Sequence, residues 1–290
     1  MHRMNKELSV AVQLARQAGQ AVMDVYATNF AVAYKGKNDP VTEADRQGND
    51  LIVKGLQEAF PRDTVVAEES PAPDGIPTSG RVWYVDPLDG TKDFIARNGE
   101  FSVMIGLAVN GHAQLGVVYR PEGDVLYAGA VGNEAWMEQG GIRSTLASKE
   151  RDSGRPLTLA VSRSHRHPMV DKIGQALGVG NEIPSGSVGL KIGLIARGEA
   201  DVYCEPGPYT KLWDSCGPEA ILRAAGGEFT TILGEPLIYG KSLSPKAVVG
   251  DQLANTHGLL ASNGFCHERV VHALRPVVEE LGLKPREASA

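Results

Sequence analysis

Apolar residues recur at three- and four-residue steps in three stretches of the chain, and this spacing predicts amphipathic helices. The first stretch covers residues 5–27, and the second follows residue 42 and stops at Pro61. The third lies near the end of the chain, where Pro276 predicts a bend or a restart of the helix. The apolar positions are Leu8, Ala11, Ala15, Ala18, Val22 and Val25, then Ile52, Leu56, Ala59 and Phe60, and finally Val270, Val271, Leu274, Val278 and Leu281.

Short apolar runs between the helices predict strands. In the first half these runs cover residues 65–67, 82–85, 101–109, 115–120 and 125–131. Asn110-Gly111 is a strong hairpin signal, and residues 121–124 supply the next turn. The last three runs therefore predict an antiparallel meander, which we expect the chain to leave at Trp136.

The second half mixes strands and helices. Strands are predicted at 157–161, 200–204, 247–249 and 259–261, and helices at about 169–177, from Ser187 to Arg197, and from Trp213 to Gly226. Residues 140–156 are polar and contain glycine, so we place a boundary there, between an N-terminal α+β part (1–150) and a C-terminal α/β part (151–290). The order of elements predicts an α/β (α+β) fold of alternating helix and sheet layers.

Composition excludes several classes of protein. The 290 residues are 42% hydrophobic and carry a net charge of −6, which argues against binding to a nucleic acid polymer or an anionic membrane. A small phosphorylated partner stays compatible with that charge. The three cysteines form no Cys-x-x-Cys pair, so neither a zinc site nor a disulfide framework is indicated. With no signal peptide and no long apolar run, we expect a cytoplasmic protein.

Candidate chemistry begins with the sequence Asp86-Pro87-Leu88-Asp89-Gly90-Thr91, directly after the buried run at 82–85. Because Pro87 has no amide hydrogen, we expect the strand to end abruptly at Asp86. Two carboxylates so close repel each other unless a cation or a proton intervenes, and oxygen ligands favour Mg²⁺, Mn²⁺ or Ca²⁺ over zinc. An ordinary surface turn is the alternative, since Asp, Pro and Gly are common turn residues.

Three further acidic positions each have two interpretations. Asp45 follows Thr42 by three residues, so its role could be limited to completing a helix cap. Glu68 and Glu69 follow a short strand, so at most one of them points into a site unless the strand ends there. Asp214 lies at or just before a predicted helix start and could likewise be a cap.

The sequence Asp86-Pro87-Leu88-Asp89-Gly90-Thr91 resembles the signature of the lithium-sensitive, magnesium-dependent phosphatases of the inositol monophosphatase superfamily. Residues 39–45, Glu68-Glu69-Ser70 and Trp213-Asp214 resemble further motifs of the same superfamily, although Ala67 replaces a glycine. The resemblance implies a layered αβαβα sandwich, as in inositol monophosphatase and fructose-1,6-bisphosphatase. It also implies two to three Mg²⁺ ions, with Mn²⁺ as a substitute and Li⁺ or Ca²⁺ as inhibitors.

The resemblance also assigns roles to single residues. It makes Glu68, Asp86, Asp89, Asp214 and the carbonyl of Leu88 metal ligands. It makes Asp45 and Thr91 the catalytic pair that activates a water. It places Lys37 and Asp39 in a mobile loop near a further metal. Substrate contacts are expected from Gly90, Thr91, Ser162, His165, Gly189, Lys191 and Asp214.

The substrate is narrowed by three details that resemble the bisphosphate nucleotidases of this superfamily. These are Ser162-Arg163-Ser164-His165, the lysine in Gly189-Leu190-Lys191, and the residues that follow Trp213-Asp214. The expected reaction is removal of the 3′-phosphate of 3′-phosphoadenosine 5′-phosphate by a monomer or homodimer, with Lys191 at the second phosphate. An inositol or sugar phosphatase is the alternative, and a non-catalytic metal-dependent binding protein is an alternative of another class.

Overall fold

The computed structural model describes residues 4–36, 39–71, 75–148, 154–240 and 253–284. Within these ranges two large sheets and a small hairpin form. The first sheet has seven strands in the order β3-β4-β5-β6-β7-β8-β9. They are β3 (Thr64–Ala67), β4 (Arg81–Asp89), β5 (Ser102–Val109), β6 (His112–Arg120), β7 (Val125–Ala130), β8 (Ala135–Gln139) and β9 (Ile142–Leu146). The hairpin pairs β1 (Ala33–Gly36) with β2 (Asp39–Val41).

The second sheet has five strands in the order β11-β10-β12-β14-β13. They are β10 (Leu157–Ser162), β11 (Val179–Ser185), β12 (Val202–Glu205), β13 (Glu228–Thr230) and β14 (Leu259–Ser262). The described helices are α1 (Asn5–Tyr26), α2 (Glu43–Ala59), α3 (Thr91–Ile95), α4 (Val170–Leu177), α5 (Val188–Ala196), α6 (Leu212–Ala224), α7 (His267–Ala273) and α8 (Arg275–Glu280).

These elements stack in five layers. Helices α1 and α2 cover one face of the seven-stranded sheet, and α5 and α6 cover its other face. The second sheet packs on the far side of α5 and α6, and α4, α7 and α8 close the stack. Side chains alternate along the central strand β4: Trp83 and Val85 pack toward α1 and α2, whereas Tyr84 packs toward α6. The predicted αβαβα sandwich is confirmed.

Glycines bring α6 unusually close to the first sheet. A Cβ atom on Gly116 of β6 would lie 1.9 Å from the backbone oxygen of Gly217 in α6. A Cβ on Gly106 of β5 would lie 2.4 Å from the Gly217 nitrogen. Real Cβ atoms do not approach backbone this closely, so only glycine lets α6 pack directly on these strands. This contact fixes where the first turn of α6 lies relative to the end of β4.

Several predicted boundaries need correction. Trp136 does not leave the meander, because it lies in β8, and β9 continues the sheet inside the stretch 140–156 where we placed the boundary. Strand β11 was not predicted at all. The restart at Pro276 is confirmed, since α7 ends at Ala273 and α8 begins at Arg275. The strand predicted at 247–249 lies outside the described residues. Among the described helices, none is both long and apolar enough to cross a bilayer.

Candidate functional site

Three carboxylates converge where the first sheet meets α6. One oxygen from each of Asp86, Asp89 and Asp214 lies within 4.8 Å of the other two. Asp86 and Asp89 lie in the last part of β4, whereas Asp214 is the third residue of α6. Only 2% of Asp86 and 9% of Asp214 are exposed to solvent. The structure therefore brings together acidic residues that are more than a hundred positions apart in the chain.

The end of β4 differs from the abrupt stop that we expected at Asp86. Pairing with β5 continues to Asp89, but the register shifts between Asp86 and Asp89. The neighbouring strand β3 has already ended at Ala67, so the missing amide hydrogen of Pro87 breaks no bond on that side. The Leu88 amide donates to Oδ1 of Asp86 at 2.9 Å, and Gly90 then turns the chain with φ +98°. This irregular strand end directs both aspartates toward α6.

Hydrogen bonds hold the other two carboxylates of the cluster. Oδ2 of Asp214 accepts from the Lys211 amide at 2.7 Å, which caps the start of α6. Oδ2 of Asp89 accepts from the Ser187 hydroxyl and the Val188 amide, both at 2.6 Å. Asp89 thus joins the first sheet to the start of α5. The cap interpretation of Asp214 is confirmed, and it coexists with membership of the cluster.

The electrostatics of the cluster favour a cation. Burial raises the pKa of Asp214 to about 8, and repulsion from Asp89 and Glu68 adds to the shift. Burial also raises the pKa of Asp86 well above its usual value, again with repulsion from Glu68, Asp89 and Asp214. Carboxylates in such surroundings hold a proton or a metal ion. Because all the donors are oxygens, the set fits a hard divalent cation such as Mg²⁺ rather than zinc.

Glu68 lies beside this cluster and has a cationic partner of its own. Strand β3 ends at Ala67, so Glu68 and Glu69 follow in a turn and both reach Lys35 of β1. Nζ of Lys35 lies 2.9 Å from Oε1 of Glu68 and 2.5 Å from Oε1 of Glu69. Burial raises the pKa of Glu68 to about 7, and Lys35 opposes that shift. The sequence analysis missed Lys35, since nothing in the sequence links a lysine to glutamates 33 and 34 positions away.

Asp45 and Thr91 face each other at the edge of the cluster. The Thr91 hydroxyl lies 3.1 Å from Oδ1 of Asp45 and 3.2 Å from the carbonyl of Leu88, and its single hydrogen serves one acceptor at a time. Oδ2 of Asp45 accepts from the amide and the hydroxyl of Thr42, at 2.7 and 2.6 Å. The predicted cap is confirmed. Burial raises the pKa of Asp45, and the bonds from Thr42 oppose that shift.

Basic residues on the loop after β10 contact groups from the first half of the chain. The guanidinium of Arg163 donates to both carboxylate oxygens of Glu100 at 2.7 Å. Ser162 Oγ accepts from the His165 amide at 3.2 Å. Nε2 of His165 lies 2.6 Å from Nζ of Lys92, a residue that the sequence analysis did not single out. Burial and the charge of Lys92 lower the pKa of His165.

The segment around α5 differs from expectation. We expected Lys191 to contact the substrate, and in the structure the residue is buried, with only 2% of it exposed. Its Nζ donates to the carbonyls of Gly186 and Ser185 and lies 5.3 Å from the Tyr203 ring centre. Gly189 packs against the first sheet, where an added Cβ would collide with Val118 and Met104. Among the loop residues predicted near a further metal, Asp39 is exposed on β2, and Lys37 lies outside the described residues.

Comparison with known proteins agrees with this geometry. The sequence model of the inositol monophosphatase family matches residues 4–279. The 3′(2′),5′-bisphosphate nucleotidase CysQ of Escherichia coli K12 is 40% identical over 235 residues, which cover 80% of this chain and 93% of that protein. The crystal structure of CysQ from Bacteroides thetaiotaomicron is 30% identical with a TM-score of 0.71, covering 89% of this chain and 97% of that one. The Thermotoga maritima IMPase superposes with a TM-score of 0.77 at 25% identity, over 96% of this chain and all of that one. The chain described here belongs to the inositol monophosphatase family.

Proposed function

We propose that this protein is a metal-dependent phosphomonoesterase that removes the 3′-phosphate of 3′-phosphoadenosine 5′-phosphate or its sulfated form, giving AMP from the former. The observation that carries the proposal is the convergence of Asp86, Asp89 and Asp214 beside the hydrogen-bonded pair of Thr91 and Asp45. The similarity to the CysQ nucleotidases favours this substrate over an inositol phosphate. A cytoplasmic location and a monomeric or homodimeric state belong to the same proposal.

The residues that would hold Mg²⁺ are Glu68, Asp86, Asp89 and Asp214, together with the carbonyl of Leu88. Their oxygens form a donor set of the kind that Mg²⁺ and Mn²⁺ prefer, and we expect two to three ions. When bound, such ions make a water more acidic and neutralise charge on the phosphate and the leaving oxygen. The set draws on both predicted parts of the chain, since Asp214 comes from 151–290 and the others come from 1–150. We therefore place the site between these two parts.

Thr91 and Asp45 would handle the proton of the attacking water. Thr91 donates to Oδ1 of Asp45, so its hydroxyl oxygen keeps lone pairs directed away from Asp45. A water beside Thr91 could pass a proton to that oxygen while Thr91 passes its own to Asp45. The two bonds from Thr42 hold the Asp45 carboxylate in place for this exchange. Backbone amides at Gly90 and Thr91 are candidates to bind phosphate oxygens.

Phosphate release in the presence of Mg²⁺ tests the proposal. We expect higher kcat/KM for 3′-phosphoadenosine 5′-phosphate than for inositol 1-phosphate or fructose 1,6-bisphosphate. A preference for inositol 1-phosphate would favour the alternative inositol phosphatase. Binding of these compounds without turnover would favour a non-catalytic binding protein. Asp214→Asn is the control for a contaminating phosphatase, since it should release little phosphate from any of the three.

A further inference from the structure

Two carboxylates of the site occupy the same position, the third residue of a helix, but their helix caps differ. Asp45 in α2 accepts from both the amide and the hydroxyl of Thr42 through Oδ2. Asp214 in α6 accepts from the amide of Lys211 at 2.7 Å, and a lysine side chain has no hydroxyl that adds a second bond. The direction of the Asp214 carboxylate therefore depends on how the peptide unit between Thr210 and Lys211 is held.

A short segment, residues 253–255, holds this peptide unit from outside the helix. The carbonyl of Thr210 accepts from the Asn255 amide at 2.9 Å, on the side of the trans peptide unit opposite its N–H. The amide of Leu212, the first residue of α6, donates to the carbonyl of Leu253 at 2.9 Å. Because the first amides of a helix have no partner within the helix, bonds from another segment fix them. The start of α6 is thus capped by a segment that is distant in the chain.

The side chain of Asn255 fixes the next peptide unit as well. Its Nδ2 donates to the carbonyl of Lys211 at 2.7 Å, and it lies 3.1 Å from Thr210 Oγ1 and 3.4 Å from Ser215 Oγ. Only 6% of the residue is exposed, and a buried amide group needs such partners. One residue therefore holds two consecutive peptide units before Asp214, the first through its backbone amide and the second through its side chain.

We propose that Asn255 is a positioning residue that directs the Asp214 carboxylate toward Asp86 and Asp89 and so strengthens Mg²⁺ binding. It acts through the backbone at the start of α6 and not as a ligand. A carboxylate that is already fixed in its binding orientation loses less freedom when it binds an ion. This inference rests on the proposed metal-dependent function, since it takes Asp214 as a ligand of Mg²⁺.

The affinity for Mg²⁺, measured by calorimetric titration of the folded, metal-free protein, tests this role. Asn255→Ala should raise the Kd for Mg²⁺ about tenfold, because residues that hold a metal ligand in place contribute at least that much to affinity. Asn255→Ser keeps a hydroxyl donor and should raise the Kd less. Asn263→Ala is the matched control, since Asn263 is a similarly buried asparagine whose amide donates to Asp201 beside β12. This control should lower the Tm in EDTA but leave the Kd unchanged.

The outcomes separate this inference from the proposed function. A wild-type protein that binds no Mg²⁺ would overturn the proposed function and the role of Asn255 together. If the wild type binds Mg²⁺ and Asn255→Ala binds it equally well, only the role of Asn255 is overturned. Equal weakening in Asn255→Ala and Asn263→Ala would also overturn it, since the loss would then follow from lower stability. A loss of affinity confined to the Asn255 variants supports it, and Asn255→Ser carries the comparison if Asn255→Ala does not fold.

Discussion

Replacing Asp214 by asparagine should stabilise the metal-free protein at pH 8 and remove most of its activity. The asparagine amide oxygen can still accept from the Lys211 amide, so the cap on α6 should survive. What the substitution removes is one negative charge from three carboxylates that lie within 4.8 Å of one another. Without a cation, that charge opposes folding.

The magnitude and the pH range follow from the same cluster. Two charges 4.8 Å apart repel by roughly 3 kcal/mol at an effective dielectric constant of about 20. The pKa of Asp214 is about 8 in the folded protein against an ordinary value of 3.8. The folded state therefore binds the extra proton between about pH 4 and pH 8, and wild-type stability falls as the pH rises through this range. At roughly 2 °C per kcal/mol for a chain of this size, the variant should gain about 6 °C in Tm at pH 8 and little at pH 5.

Thermal unfolding in EDTA at pH 5 and pH 8, repeated with Mg²⁺, measures both effects. Mg²⁺ should raise the Tm of the wild type and raise that of Asp214→Asn much less. Turnover should fall at least a hundredfold, since loss of a metal ligand costs more activity than loss of a residue that only hydrogen-bonds to a ligand. Asp171→Asn, at an exposed position paired with Arg166, is the control and should change neither the Tm response to Mg²⁺ nor the turnover. A variant with normal turnover and a normal Mg²⁺ response would refute the assignment of Asp214.

Four other changes test the rest of the site. Asp89→Asn should reduce kcat at least a hundredfold while far-UV circular dichroism stays unchanged, and normal turnover at saturating Mg²⁺ would contradict its role as a ligand. Thr91→Val should lower kcat about a hundredfold or more without weakening Mg²⁺ binding in a calorimetric titration; weaker binding would indicate a structural role instead. Lys35→Met should lower the Tm in EDTA, because Glu68 and Glu69 lose their shared cation. The same variant should show a larger rise in Tm when Mg²⁺ is added, and an unchanged rise would show that Lys35 does not compete with the metal. Li⁺ should inhibit phosphate release at saturating Mg²⁺, since it carries half the charge of Mg²⁺ in a similar size, and insensitivity would argue against this branch of the family.

The elements that the sequence predicted bury most of their apolar residues. Helices α1 and α2 bury them at three- and four-residue steps, whereas strands β4 to β7 are buried almost throughout, so helical periodicity identified the former and continuous apolar runs the latter. Two of the strands that were missed, β9 and β11, lie at the edges of their sheets. Most of their residues are exposed or only partly buried, so their sequences read as polar loops. An edge strand that buries few side chains is held by backbone hydrogen bonds, so the hydrophobic pattern of its sequence does not predict it.

The candidate site was predictable to the extent that its signals are local. Asp86 and Asp89 lie within four positions, and the repulsion between such close carboxylates suggested a cation site, with a surface turn as the alternative. Contacts between distant parts of the chain were not predictable. Lys35 contacts Glu68, and Lys92 contacts His165, only in the folded protein. The burial of Lys191 was also not predictable, for a general reason. Lysine is rarely buried, and only the fold reveals that two backbone carbonyls accept from its ammonium group.

The sequence analysis also treated capping and chemistry as alternatives for Asp45 and Asp214, and the structure shows why they are not. A carboxylate has two oxygens, so it can cap a helix with one and serve a site with the other. Asp45 accepts hydrogen bonds from Thr42 through Oδ2 and from Thr91 through Oδ1. Asp214 gives Oδ2 to the Lys211 amide and still offers an oxygen to the cluster. A carboxylate fixed by its own helix start loses little further freedom when it binds an ion or a proton, which makes the helix start a rigid mount for the site.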